Sequence, residues 1–396
     1  MVDCLLSYTH QISQKVTILS ENGYIFKLLN YTCYKMKLTI LFATGLSLMC
    51  YFSSAQISAP KYSNEFLSIG VGARGMAMAN VQSAIVNDVT SGYWNPAGLN
   101  KIKNKYEIAL MHSEYFAGIA KYDYGAIATQ IDSNSVVGLS IIRFGVDDIA
   151  NTLNLYDSDG NNNGALNYNN ITYFSSADYA FILTYGRKIH KIEGLHVGAN
   201  FKVIYRTVGD FANAWGFGLD AGAQLQRKKW LMGIMLRDVT GTFNAWTHNT
   251  ELVRATYTKT GNDIPENSVE VTLPKMIAGV GRYFNISKKI GLLASTDLIC
   301  TFDGKRNTVI KSNIISIDPT LGLEANYKKI IFLRAGIGNI QKVKNFEGTY
   351  TSIQPNFGLG VKVYKFTIDY ALTNIGNVSE SLYSNVFSLK FSFDSL

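Results

Sequence analysis

Histidine and cysteine are the side chains of this 396-residue chain that would carry metal or nucleophilic chemistry. Four histidines lie beyond the first fifty residues: His112, His190, His196 and His248. None has the HExxH spacing of a zinc enzyme, and His196 has no companion serine with a clear local signature. Beyond residue 55 the only cysteine is Cys300, which cannot build a four-ligand metal site alone. The sequence therefore predicts no enzyme activity, no metal and no other cofactor.

Two further runs resemble ligand sites only superficially. Residues 157–164 read Asp-Ser-Asp-Gly-Asn-Asn-Asn-Gly, which is rich in oxygen ligands but lacks the glutamate that ends a helix-loop-helix calcium loop. The Gly-Val-Gly-Ala-Arg run at 70–74 is no dinucleotide fingerprint, because no buried strand of a βαβ unit precedes it. We interpret the first run as a solvated loop.

Five charged residues lie on the polar face of segments in which apolar and polar residues alternate. They are Asp220, Arg237, Arg334, Asp369 and Lys390. In a closed barrel this face lines the lumen, while the apolar face meets lipid. We expect a charge network across the lumen, and selectivity for a charged solute is the alternative.

The elements that position these charges are predicted from the period-2 alternation. In 195–205, for example, apolar residues from Leu195 to Tyr205 alternate with polar residues and glycine. Segments of this kind cover 106–114, 122–131, 135–144, 177–187, 194–205, 214–226, 229–239, 269–283, 290–301, 316–327, 330–340, 353–363, 366–373 and 385–393. The sequence thus predicts an all-β fold, a transmembrane antiparallel β-barrel of about 14 strands.

Composition supports the barrel. The chain is 17% charged, with 34 Gly, 24 Tyr and 21 Phe, and has no apolar run of helix-spanning length after Gln56. Only a closed barrel then satisfies the backbone inside lipid. A soluble β protein shares the alternation, but aromatic faces this wide would aggregate in water. The net charge of +8 is spread along the chain and does not indicate nucleic-acid binding.

Connections between the predicted strands alternate in length. Short links such as 227–228 and 364–365 alternate with longer ones at 145–176, 240–268, 302–315, 341–352 and 374–384. Short periplasmic turns and long outer loops are typical of bacterial outer-membrane barrels. This rhythm predicts a location in the bacterial outer membrane with both termini in the periplasm.

The first 105 residues divide into three predicted parts. Met36-Lys37, an apolar run and Ser53-Ser54-Ala55 have the form of a signal peptide over 36–55, cut before Gln56. Cleavage before Cys50 would instead give a lipoprotein, although Met49 is bulky for that site. Residues 1–35 are then predicted to be an over-extended start, upstream of a true first residue at Met36. Residues 56–105 are predicted to form an N-terminal hatch segment in the lumen, and 106–396 the outer-membrane β-barrel.

The hatch carries a local resemblance to a known family. The run FLSIGVGARGMAMAN from Phe66, followed by DVTSGYWNPAGL, resembles the start of PorV/PorQ-type proteins, which are similar to the wider FadL-like barrels. The motif residues carried over are Arg74, Trp94, Asn95, Pro96, Ala97 and Gly98. The resemblance implies an N-terminal hatch in the lumen and an outer-membrane partner of the type IX secretion system of Bacteroidota.

Two functions follow from this resemblance, and the sequence favours the first. The first is a non-enzymatic barrel in type IX protein secretion or surface delivery of cargo proteins, with a secretion translocon and secreted cargo as partners beside outer-membrane lipid. The second is a FadL-like transporter that moves hydrophobic small molecules across the outer membrane, with a hydrophobic ligand in the lumen. A continuous apolar pocket would favour transport, and a lumen plugged by charged pairs would favour secretion.

Overall fold

The computed structural model describes residues 63–155, 166–345, 348–373 and 384–394. The over-extended start at 1–35, the signal peptide at 36–55, the beginning of the hatch and the oxygen-rich run at 157–164 lie outside these ranges.

Antiparallel strands form a closed wall. They are β1 (Tyr106–Tyr115), β2 (Ala120–Gln130), β3 (Ser135–Asn151), β4 (Thr172–Ile189), β5 (Leu195–Val208), β6 (Ala212–Arg227), β7 (Trp230–Arg237), β8 (Thr242–His248), β9 (Ser268–Thr272), β10 (Lys275–Asn285), β11 (Ile290–Thr301), β12 (Ile310–Lys311), β13 (Ser316–Tyr327), β14 (Ile331–Asn345), β15 (Gly348–Val363), β16 (Phe366–Thr373) and β17 (Ser384–Phe393). The last strand pairs with the first, from Tyr106–Phe393 to Glu114–Asn385. Closure leaves the wall without an unpaired edge, as lipid requires.

These segments make fourteen strands around the wall within the described residues. β7 and β8 both pair with β6, so together they form one interrupted strand. β10 pairs with β7 and β9 pairs with β8, so β9 and β10 form a second interrupted strand. The first interruption is a turn in which the Gly241 N–H donates to the Asp238 carbonyl; the second contains Pro274, which has no N–H to donate. β12 is a two-residue segment within a connection. The predicted all-β antiparallel barrel is confirmed.

Three predicted loops are partly wrong. The 240–268 loop contains β8 and the helix at Thr250–Thr260, and most of 341–352 belongs to β14 and β15. The 145–176 loop is shorter, because β3 runs to Asn151 and β4 begins at Thr172. These wall extensions carry few apolar residues, so the alternation that reveals a lipid-facing strand fades there while the backbone pairing continues.

Side chains alternate between the outside and the lumen as predicted. On β6, Trp215, Phe217 and Leu219 are each at least 40% exposed, whereas the next residue, Asp220, is 5% exposed. Exposed apolar residues recur on every side of the wall, including Leu110 on β1 and Leu389 on β17. A band of this kind is stable in lipid rather than in water.

The hatch, described from residue 63 to 105, fills the lumen. It contains a 3₁₀ turn at Glu65–Ser68, the short helices α1 (Ala73–Ala77) and α2 (Ser91–Trp94), and a second 3₁₀ turn at Pro96–Lys101. Its small residues permit close approach to the wall. A Cβ on Gly222 would overlap the Asn95 side chain, and one on Gly233 would overlap the Ser83 backbone. The predicted hatch in the lumen is confirmed for these residues.

The two ends of the barrel differ. At the turn end, short connections such as Lys328–Ile330 join the strands; at the loop end lie the long connections. One of these carries helix α3 (Thr250–Thr260), which ends at Gly261 in the left-handed conformation. Among the residues described, no helix is long and apolar enough to span a bilayer.

Candidate functional site

Asn95 is the centre of the contact between hatch and wall. Its Nδ2 donates to the carbonyls of Ser83 (2.7 Å), Ala223 (3.3 Å) and Ile234 (3.2 Å), and its Oδ1 accepts from the Ala97 N–H (3.2 Å). The residue is fully buried. One amide therefore joins two parts of the hatch to strands β6 and β7.

The other motif residues shape the hatch around this amide. Trp94 Nε1 donates to the Val71 carbonyl at 3.0 Å, which ties α2 to the segment just before α1. Pro96 begins the second 3₁₀ turn, where a missing N–H costs nothing. Ala97 is fully buried, and a Cβ on Gly98 would overlap the Val86 carbonyl oxygen. The resemblance-based residues are thus packing and hydrogen-bonding positions.

Arg74 connects the hatch to the far wall. Its Nε lies 2.8 Å from Glu324 Oε2 on β13, and Glu324 also receives Arg334 Nε at 2.7 Å. Arg334 Nη1 in turn lies 2.7 Å from Asp369 on β16. Four charges therefore alternate in sign from hatch to wall, and two of the five predicted lumen charges pair with each other.

Lys390 holds the hatch from β17. Its Nζ lies 2.7 Å from Asp88 Oδ2. Burial alone would raise the pKa of Asp88, but Lys390 and Arg74 outweigh burial and hold that pKa well below its ordinary value. The neighbouring Glu107 on β1 accepts from the Val89 N–H at 2.7 Å. The carboxylate of Asp88 is therefore ionised at neutral pH and forms a buried ion pair.

An anchor without a cationic partner lies on β11. Asp297 accepts the backbone N–H groups of Gln82 (3.0 Å) and Ser83 (2.9 Å) and the Ser83 hydroxyl (2.8 Å). No cationic side chain takes part in these contacts. The hatch is thus held to β11 by donors of its own backbone.

Asp220 belongs to a second buried charge cluster. Lys202 Nζ lies 2.7 Å from Asp220 and 2.5 Å from Asp238. Asp238 also accepts from the Thr242 hydroxyl. One ammonium therefore pairs with two carboxylates on the lumen face of β5 to β8.

Arg237 contacts backbone rather than carboxylates. It donates to the carbonyls of Leu67 (3.1 Å) and Tyr93 (2.9 Å), and its guanidinium lies 4.4 Å from the Tyr93 ring centroid. It binds both halves of the hatch. All five predicted lumen charges face the lumen. They do not form one continuous network but belong to separate clusters that hold the hatch or join neighbouring strands.

Space beside the hatch is small. The cavities next to Arg237 and next to Arg74 measure about 20 Å³ each. Such volumes hold about one water molecule. Around these described residues the hatch leaves no room for a larger solute.

A much larger cavity lies at the loop end, on the lumen side of the wall. We call it the loop-end cavity; it measures about 690 Å³. Its lining residues are Ala150, Asn151, Thr152, Leu153, Phe174, Val208, Phe211, Ala212, Trp246, His248, Val253, Thr256, Tyr257, Pro265, Ser268 and Glu270. Helix α3 contributes Val253, Thr256 and Tyr257 to this lining, and Val253 is buried. The cavity joins aromatic and aliphatic walls to a single carboxylate.

Histidine takes no part in a catalytic arrangement among the residues described. His196 Nδ1 lies 3.0 Å from Asn100 Oδ1, at the turn end. His112 contacts Asp123 on the exposed surface, without a nucleophile. Within the described ranges, no cluster of three potential metal ligands occurs.

Sequence reasoning missed the partners of the predicted charges and the loop-end cavity. Glu324 and Lys202 lie on the polar face of alternating segments, so that pattern was the available signal. Asp88 lies in the hatch, 302 residues from Lys390, and only the folded barrel brings the two together.

Comparison with known proteins identifies the fold. No family model matches the chain, and no curated protein matches it. A solved structure of the CymD monoaromatic hydrocarbon channel matches with a TM-score of 0.51 and 13% identity, covering 83% of this chain and 98% of that one. The toluene transporters TbuX of Ralstonia pickettii and TodX of P. putida follow, each with a TM-score of 0.49 and 13% identity. They cover 82% and 83% of this chain and 98% and 99% of their own. The chain has the fold of FadL-like barrels.

Proposed function

We propose that this protein is a non-enzymatic outer-membrane channel for hydrophobic small molecules, which bind first in the loop-end cavity. The cavity carries the proposal, because about 690 Å³ with mainly apolar and aromatic walls is typical of a small-molecule site. It lies within the barrel mouth, above the hatch. The CymD structure of similar fold is described as a monoaromatic hydrocarbon channel, which supports this class of solute.

Passage beyond the cavity requires the hatch to move. In the closed arrangement the ion pairs Asp88–Lys390 and Arg74–Glu324 and the Asn95 contacts hold it against opposite parts of the wall. Solute transfer in this proposal needs a transient shift of the hatch rather than an open pore.

The proposed orientation follows the lengths of the connections. Long loops face outward, so the loop-end cavity meets solute outside the cell, and the short turns and the chain's end near Asp394 face the periplasm. A periplasmic position of both termini remains a prediction.

A second candidate function is a PorV/PorQ-type role in type IX secretion. One observation favours it: charged pairs and the hatch fill the lumen, leaving cavities of about 20 Å³. The loops would then contact cargo or a translocon. Sequence reasoning preferred this function, and we now rank it second because the loop-end cavity suits a small ligand.

A cavity-filling variant tests the proposal. Ala212 lines the cavity, so Ala212→Trp should abolish uptake of a labelled monoaromatic compound by intact cells. The matched control is Ala245→Trp, which adds the same side chain to the outward face of β8. Normal uptake by Ala212→Trp, at equal membrane abundance, would contradict the proposal.

A further inference from the structure

The loop-end cavity combines an aromatic wall with one negative charge. Phe174 and Phe211 meet edge to face with centroids 5.0 Å apart, and Trp246 and Tyr257 add two further rings. Glu270 is the only acidic residue of the lining among the described residues, and no lysine or arginine belongs to it. An aromatic wall beside a carboxylate is an environment that favours organic cations.

The Glu270 carboxylate is only weakly engaged by the protein. Its Oε2 accepts from the Ser63 hydroxyl at 3.3 Å and lies 3.5 Å from Arg206 Nη1, both at the long limit of such contacts. The side chain is 29% exposed. A donor in the cavity could therefore approach this carboxylate without breaking a short ion pair.

Arg206 does not neutralise the site. It forms two short bonds with Asp178, at 2.7 and 3.1 Å, and its guanidinium lies 5.0 Å from the Trp246 ring centroid. One guanidinium thus faces two carboxylates, Asp178 and Glu270. The cluster keeps a net negative charge, which repels an anionic ligand and attracts a cation.

We propose that the loop-end cavity selects molecules with an aromatic body and a protonated amine, with the amine pairing to Glu270 and the ring packing among the aromatic walls. This inference rests on the proposed function, since it names the solute class of the same cavity. Plain hydrocarbons bind more weakly, and carboxylates of the same shape bind weakest. A charge-assisted hydrogen bond is the physical source of the preference.

The test uses three probes that share one apolar body: 2-phenylethylamine, ethylbenzene and 3-phenylpropionate. Their binding to purified full-length protein in micelles is measured by isothermal titration calorimetry at about pH 8. The amine should bind at least about tenfold more tightly than ethylbenzene, the difference expected from one charge-assisted hydrogen bond. Glu270→Gln keeps the shape of the side chain and should remove the advantage of the amine over ethylbenzene. The Ala212→Trp protein reports binding to the micelle alone.

Salt gives a second readout on the unaltered protein. Added sodium chloride should weaken amine binding and leave ethylbenzene binding unchanged. Ethylbenzene bound as tightly as the amine, or an amine preference that persists in Glu270→Gln or at high salt, would overturn the inference while leaving the transport function intact. Failure of all three probes to bind above the Ala212→Trp background would overturn both.

Discussion

Replacing Asn95 by alanine should loosen the hatch by a measurable amount. The change removes three donor contacts and leaves the Ala97 N–H without its acceptor in a fully buried site. The Ser83 carbonyl keeps a bond from Gln224 Nε2 at 3.0 Å, so the loss is partial there. One orphaned buried donor and the vacated volume together should lower the free energy of hatch opening by about 2–3 kcal/mol. Asn95→Asp should lower the free energy of hatch opening by more, because it places a carboxylate against carbonyl oxygens.

Hydrogen exchange measured by mass spectrometry reports this opening directly. Amides of residues 83–98 should exchange about 30- to 150-fold faster in Asn95→Ala, while amides of β1 keep their rate. Asn104→Ala is the control, since this asparagine makes an exposed contact with Asp394 and should change little. Unchanged exchange over 83–98 would refute the role of Asn95, and equal acceleration of hatch and wall would refute the independence of the barrel.

Three further predictions concern charge, topology and the lipid face. The stabilisation from Asp88–Lys390 is present above the ordinary pKa of aspartate and lost only as pH falls through the lowered value in the fold. Asp88→Asn should therefore accelerate hatch exchange, relative to the unaltered protein, by the same factor at about pH 8 and at about pH 5; a smaller factor at about pH 5 would contradict the pairing. Ile314→Cys lies at an 80% exposed loop-end position and should react with an impermeant thiol reagent on intact cells, whereas Lys289→Cys at the turn end should not. The reverse pattern would show that the turn end, and not the loop end, faces outward. Phe391 stacks on Phe366 with centroids 4.6 Å apart near the turn end. Phe391→Asp should therefore lower the free energy of unfolding by about 1–2 kcal/mol, and Leu389→Asp, deeper in the wall, should lower it by more. Equal unfolding midpoints of the two variants in urea would argue against this depth.

The wall could be predicted from sequence because its signal is local. Each strand that meets lipid on one side must alternate, and 195–205 and 214–226 coincide closely with β5 and β6. The resumption of strand β7 as β8 was missed, because Asp238 and Gly241 turn the chain before the segment that pairs again with β6. Where the wall rises beyond the apolar band, as in β14 and β15, the alternation no longer identifies the strand.

The candidate site was less predictable because its contacts are distant in sequence. The alternation placed Arg334 and Asp369 on the lumen side, yet the Arg74–Glu324 pair spans 250 residues and depends on the register of the whole barrel. The loop-end cavity combines residues of helix α3 with residues of β4, β6 and β8. Nothing in the composition of 250–260 specifies where the helix lies, because only Val253 of this helix is buried.

Transport of hydrophobic solute, and not delivery of secreted protein, is the proposed function of this barrel. Its most direct test measures uptake of a labelled monoaromatic compound and surface delivery of secreted proteins in the same cultures, comparing a strain that lacks the gene with one in which the gene is restored. We predict that uptake is lost without the gene and returns with it, while delivery of secreted proteins is unchanged. Normal uptake combined with failed delivery would contradict the claim and establish the secretion function instead.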